Sequence, residues 1–227
     1  NPGRRTGEFT SEPDFAPTLL AVAGVNGEAY GMQPVEGHSF LDILFDETAA
    51  SIDRSVIMMG KERHDVGRPN DEGYPMRSML KGDYLYIHNY EPERWPAGDP
   101  VTGYMNIDGS PTKTEILKAR HNPETKYFWD LSMGKRGEKE LYDVGNDPLC
   151  MVNLADKAEY KDIVDKMERE MTARLRAQND PRMDGKGEIF DKYPNMSKSH
   201  DYYNRVKAGE QLPYNWINAT DFDPEMQ

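Results

Sequence analysis

Between Met76 and Tyr90 the residues alternate in a pattern that few folds accommodate. Met76-Arg-Ser-Met-Leu80 and Tyr84-Leu-Tyr-Ile-His-Asn-Tyr90 flank Lys81-Gly82-Asp83. Two short runs rich in strand-forming residues around a glycine turn predict a β-hairpin, and with it an antiparallel sheet. Side chains along a strand alternate between its faces. Tyr84, Tyr86, His88 and Tyr90 therefore share one face, and Leu85 and Ile87 the other. The aliphatic face is expected to meet the core, which places His88 on the wetter face and not in a metal site.

The hairpin has partners further along. Lys139-Glu-Leu-Tyr-Asp-Val144 reads as a third strand, closed by the turn Asn146-Asp-Pro148. From Tyr160 to Gln178, apolar Tyr160, Ile163, Val164, Met167, Met171 and Leu175 recur at helical spacing with charges between them. Asp156 offers a start signal and Asp180-Pro181 a stop. The methionine stripe reads as core packing rather than a binding surface. The predicted class is α+β: a small antiparallel β-sheet packed by a C-terminal amphipathic helix.

Before the hairpin, Phe15 to Ala23 predicts a short helix, with Asp14 as cap, Pro17 in its first turn and Gly24 as its stop. Leu19, Leu20, Val22 and Ala23 leave little polar surface, so burial on more than one face is expected. Leu41–Phe45 is a short apolar piece preceded by His38, a turn or capping residue. Ser55–Met59 is a continuous apolar run that fits a strand buried on both faces. After the hairpin, residues 91–100 are too rich in Pro and Gly for regular structure, and Trp95 is expected to pin that loop by burying its ring. A helix is predicted over Thr112–Ala119, capped by Thr112 or Ser110. Beyond Pro181 periodicity fades, and residues 181–227 read as an irregular tail wrapping a larger body.

Charge excludes some partners. The chain carries a formal net charge of −12, which argues against nucleic acid and against a polybasic membrane surface. No run approaches the ~20 apolar residues of a membrane span, and no signal peptide is visible at the N-terminus. Cys150 is the only cysteine, so neither an internal disulfide nor a cysteine-based zinc site is available. There is no internal repeat, no phosphate-binding glycine loop and no HExxH-type motif. The chain opens on Asn1, as a fragment or a processed product would.

The densest chemistry lies just before the hairpin. From Gly60 to Arg77, the basic Lys61, Arg63, Arg68 and Arg77 stand against Glu62, Asp65, Asp71 and Glu72, with His64 among them. A loop rich in ionisable groups between two strand-like runs is a common place for function. A solvated surface loop has the same composition, and both readings stay open on the residues alone.

Four pieces in order resemble the C-terminal part of a sulfatase of the alkaline-phosphatase superfamily. They are Asp14-Phe-Ala-Pro-Thr-Leu-Leu-Ala-Val-Ala-Gly24; Gly60-Lys-Glu-Arg-His-Asp65 with Gly73-Tyr-Pro-Met-Arg77; Arg94-Trp-Pro-Ala-Gly-Asp-Pro100; and Glu140-Leu-Tyr-Asp-Val-Gly-Asn-Asp-Pro148 followed by Asn153-Leu-Ala155. His64-Asp65-Val66 and Tyr74-Pro-Met-Arg77 are similar to the heparan N-sulfatase (N-sulfoglucosamine sulfohydrolase) branch and its bacterial members. The resemblance implies three parts: residues 1–59 ending a large α/β domain that includes the strand at 55–59, residues 60–180 forming the antiparallel-sheet subdomain, and the wrapping tail.

It also implies what this stretch does. Sulfatases use a formylglycine made in a C/S-x-P-S/A-R motif and a calcium held by Asp and Asn side chains. Cys150 lies in Pro148-Leu-Cys-Met-Val152 and does not fit that motif, and both groups are expected in a preceding N-terminal half. The chain alone is expected to be inactive, with no catalytic or metal residue of its own. Its role is to shape the pocket for a sulfated sugar, with His64 and Asp65 the foremost substrate contacts. Arg77 would meet the sugar's anionic group or pair with Asp65, and Arg63 and Glu62 are weaker candidates. The family implies a periplasmic or secreted enzyme. Other sulfatase specificities, a phosphonate or phosphate hydrolase, or a non-catalytic glycan-binding remnant are the alternatives.

Overall fold

In the computed structural model the described residues are 3, 5–45, 52–64, 67–212 and 216–223. The chain divides into two compact units, Asn1–Met58 with Met79–Asp83, and Met59–Ser78 with Tyr84–Gln227.

The first unit contains α1 (Phe15–Ala23) and α2 (Leu41–Phe45). Gly24 ends α1 in the left-handed conformation with φ 65°, its N–H on the carbonyls of Ala21 and Leu20. Asp14 does more than stand before the helix. One carboxylate oxygen accepts from the Ser11 N–H and the other from the His38 N–H, each at 2.8 Å. His38 thus enters this fold through its backbone. Thr18 is buried and links α1 to the next segment, donating to Asp14 O and accepting from the Phe40 N–H. The rings of Phe15 and Phe40 meet edge to face at 5.3 Å. A buried Arg54 grips both oxygens of Asp42 at 2.8 Å. The burial expected of α1 is not seen among the described residues: Leu19 and Val22 are each 64% exposed.

Four strands form one antiparallel sheet in the order β1 (Val56–Lys61), β2 (Met76–Lys81), β3 (Tyr84–Asn89), β4 (Lys139–Asp143). β1 corrects an expectation. The run at 55–59 is an edge strand of this same sheet, reaching Lys61, and Met59 is exposed. A short aliphatic run does not by itself distinguish an edge strand from one buried on both faces. β3 and β4 pair with Tyr86 opposite Leu141, Ile87 opposite Glu140 and His88 opposite Lys139.

α5 (Lys161–Ala177) seals one face of β3 and β4, burying Val164, Met167, Met171 and Leu175. It covers the aromatic face, the reverse of the sequence expectation. Tyr86 and Leu141 are fully buried, Tyr84 meets Tyr160 at 6.5 Å between ring centres, and Glu168 on α5 reaches both Lys139 and His88. Tyrosine rings bury more area than aliphatic side chains while their hydroxyls reach polar partners at the rim. Burial pushes the His88 imidazole pKa down, against the opposing pull of Glu138 and Glu168. Leu85 and Ile87 face a cavity of about 450 Å³ also lined by Tyr74, Arg136, Glu140 and Tyr142.

Between β3 and β4 the chain makes a long excursion that includes α3 (Pro111–Ala119) and α4 (Lys126–Ser132). Ser110 caps α3, its hydroxyl accepting from the Lys113 N–H at 3.1 Å, with Pro111 in the first turn. Trp95 meets Trp129 edge to face at 6.1 Å, and Trp129 packs with Ala97, Tyr104 and Met133. Trp95 does pin its loop. The last segment holds α6 (Ile189–Lys192), α7 (Tyr202–Lys207) and short 3-10 turns at Pro181–Asp184 and Ala219–Asp221. Its far end is anchored by Lys113, fully buried, whose ammonium lies 3.1 Å from Asp221 and donates to the carbonyls of Gly103, Tyr104 and Ile107. The tail therefore wraps this unit's own body.

Candidate functional site

The Gly60–Arg77 stretch starts and ends in strands, because β1 runs to Lys61 and β2 begins at Met76. Within it the chain makes two hairpin-like contacts with itself. The Tyr74 N–H donates to Glu62 O at 3.1 Å, and a Cβ at Gly73 would stand 2.9 Å from the Glu62 carbonyl, so only glycine fits there. At the far bend Asn70 and Asp71 both adopt left-handed backbone, with φ of 57° and 56°. Such conformations are uncommon outside glycine and need outside support.

That support comes from three directions. Arg68 is buried and donates to the carbonyls of Trp95 (2.8 Å) and Pro96 (3.1 Å). Burial pulls its guanidinium pKa down to about 10, with the nearby Arg94 charge adding to the effect. Gly67, at φ 127°, accepts from the Thr102 hydroxyl at 2.5 Å; a Cβ there would meet Met105 Sδ at 2.8 Å.

The third support is the tail. Asp191 on α6 accepts from the Gly73 N–H at 2.8 Å and from Arg94 at 2.9 Å, while Arg94 also donates to Gly73 O. Arg63 Nη2 donates to Tyr193 O at 2.7 Å. Asp71 Oδ2 accepts from Asn195 at 3.2 Å and from the Asp201 N–H at 2.8 Å. Arg182 holds Glu62 through both oxygens, at 2.7 and 2.6 Å. Arg77 contacts the same Glu62 at 2.6 Å and donates from Nε to Asp180 Oδ2 at 2.6 Å. Burial alone would push the Asp180 carboxyl up; the Arg77 hydrogen bond and the Arg182 N–H hold it below its usual range. The Arg182 guanidinium also lies over the rings of Tyr90 and Phe190, at 5.3 and 5.6 Å.

The residues singled out from the sequence thus fall into different positions. Arg77 forms ion pairs with Glu62 and Asp180, its side chain 8% exposed. Glu62 and Arg63 are held by the tail. His64 is exposed between two fixed points, Arg63 and Gly67. Asp65 lies outside the described residues. Sequence reading missed Asp180, Arg182 and Asp191. The available signal was charge matching, since the acids and bases of the tail complement those of the loop.

Among the described residues no three His, Cys, Asp or Glu side chains are grouped to hold a metal ion. Burial, with Asp147 and Glu140 nearby, pushes the Cys150 thiol pKa up, away from a reactive thiolate.

No protein-family model matches the chain. Two curated relatives do, both described as "Ulvan-active sulfatase" from Formosa agariphila. One is 28% identical over 204 residues, covering 84% of this chain and 30% of the relative. The other is 27% identical over 186 residues, covering 79% and 31%. The sequence likeness is thus to sulfatases, and the chain spans about a third of the length of these relatives. Among solved structures, a 2-O GAG sulfatase aligns with a TM-score of 0.44 and 19% identity, over 75% of this chain and 26% of its own. A protein in complex with D-glucosamine-2-N,6-O-disulfate aligns with a TM-score of 0.44 and 20% identity, over 78% and 27%.

Proposed function

We propose that this chain is the substrate-side part of a sulfatase-type hydrolase that releases sulfate from a sulfated glycan. The likeness to two named sulfatases along most of the chain carries this reading. The geometry of the Gly60–Arg77 stretch supports it. His64 is exposed, and Arg63 before it and Gly67 after it are anchored. An imidazole held in that way can hydrogen-bond a sugar hydroxyl or a leaving amine. Arg77 serves the framework behind it, because its guanidinium is already occupied by two carboxylates.

The substrate class is a sulfated sugar. N-sulfoglucosamine, from the motif around His64, and the glycans suggested by the ulvan-active relatives are the two specificities to separate. The nucleophile and calcium of such an enzyme would be supplied by residues other than those described. An enzyme acting on a polysaccharide would work outside the cytoplasm, as a periplasmic or secreted protein.

The test is sulfate release by the intact enzyme from N-sulfoglucosamine, O-sulfated glucosamines and ulvan oligosaccharides, with His64→Ala beside the wild type. Loss of about tenfold or more in kcat/KM for one substrate, at unchanged Tm, is the expected result. Absence of release from every sulfated sugar would overturn the reading.

A further inference from the structure

We propose that Asp191 and its neighbours on the tail are positioning residues, setting the loop that presents His64; the proposal rests on the function proposed above. Asp191 and Arg94 together satisfy both backbone polar groups of Gly73, the N–H through the carboxylate and the carbonyl through the guanidinium. Gly73 in turn lies against the Glu62–Arg63 backbone at distances that leave no room for a Cβ. A shift of Asp191 is therefore passed through Gly73 to the residues immediately before His64. Two residues beyond Asp191, Tyr193 O takes the Arg63 guanidinium directly. Asn195 and the Asp201 N–H then hold Asp71, the strained bend opposite.

Among its described residues the loop's internal backbone pairs are Asp71 to Arg68, Glu72 to Pro69 and Tyr74 to Glu62. Further holds on the described residues come from the tail and from the loop containing Trp95 and Thr102. Segments with sparse internal bonding open locally long before the whole protein unfolds. A site residue on such a segment depends on its supporting contacts for its geometry. Asp191 does not need to touch substrate to act on binding.

The experiment compares Asp191→Ala and Asp191→Asn with wild type in the intact enzyme, reading amide hydrogen exchange and steady-state kinetics. In D191A, amides of residues 62–73 should exchange about tenfold faster while those of α5 are unchanged. KM for the sulfated substrate should rise about tenfold with kcat changed far less, and D191N, which keeps an acceptor for the Gly73 N–H, should recover part of both. Unchanged exchange at 62–73 in D191A overturns the positioning role. Faster exchange with unchanged KM overturns it too, and locates the failure in the loop's assignment to substrate. If D191A does not fold, Asn195→Ala removes one hold on Asp71 and gives the same two readings at smaller size.

Discussion

Arg77 and Asp180 are joined by a 2.6 Å hydrogen bond from Nε to Oδ2 across a sequence separation of 103 residues. The other oxygen of Asp180 caps the following 3-10 turn, accepting from the Arg182 N–H at 2.9 Å. One carboxylate thus ties β2 to the start of the tail and fixes the direction in which the tail leaves α5. Breaking a mostly buried pair leaves an uncompensated charge, which costs about 3–5 kcal/mol. Arg77→Met is expected at the low end of that range in urea unfolding. Asp180→Asn should cost less, since Glu62 still faces Arg77.

The same pair predicts an acid-side loss of stability. The Asp180 pKa is depressed in the folded state, so its contribution is complete above the unfolded value of about 3.9. It is lost as pH falls through the folded value. Urea titrations from pH 7 downward should show a stability loss below about pH 4 that is smaller in Asp180→Asn. An identical pH slope in the variant would remove Asp180 from this role.

Lys113 and Asp221 form a second buried pair, 1% and 0% exposed. Asp221→Ala strands the ammonium among three carbonyls and should destabilise by about 3 kcal/mol. Limited proteolysis should then cut within residues 216–223 before it cuts elsewhere. The doubly apolar variant, Lys113→Met with Asp221→Leu, should regain part of the loss.

Gly67→Ala should be costly. It places a side chain at φ 127° and within 3 Å of Met105 Sδ and Thr102 Oγ1. Strain of this kind costs about 1–3 kcal/mol, and Tm should fall by several degrees, whereas Gly82→Ala, with nothing within 4 Å of its Cβ, should lose less.

The exposed apolar surface of α1 makes a further prediction. Phe15, Leu19 and Val22 are all more than half exposed on one short helix, and contiguous apolar surface promotes association. The isolated chain should bind a hydrophobic dye and self-associate at high concentration. Leu19→Glu should reduce both without lowering Tm.

Elements with strong periodicity could be read from the sequence. α5 and the hairpin fall where their patterns place them, as does the cap at Ser110, because those signals are local. α4 was not legible: it is short, and Tyr127, Phe128 and Trp129 stand together without helical spacing or a capping side chain. Which face of β3 is covered depends on where α5 lies, and no residue of β3 encodes that alone. For the site, His64 was reached through resemblance and its exposed placement through structure. Asp180, which pairs with Arg77, and Asp191, which holds Gly73, each lie over a hundred residues from their partner. Pairing at that distance follows from the path of the whole chain.

Asp191 comes 118 residues after Gly73, and this ordering matters during synthesis. A hairpin such as β2–β3 closes within microseconds once its residues are free, whereas a chain emerges at about 5–20 residues per second. The loop between β1 and β2 therefore spends several seconds outside the ribosome before α6 exists to hold it. The geometry around His64 is acquired late, and a truncation or translational pause before residue 191 would yield a folded sheet whose loop lacks its Asp191 clasp.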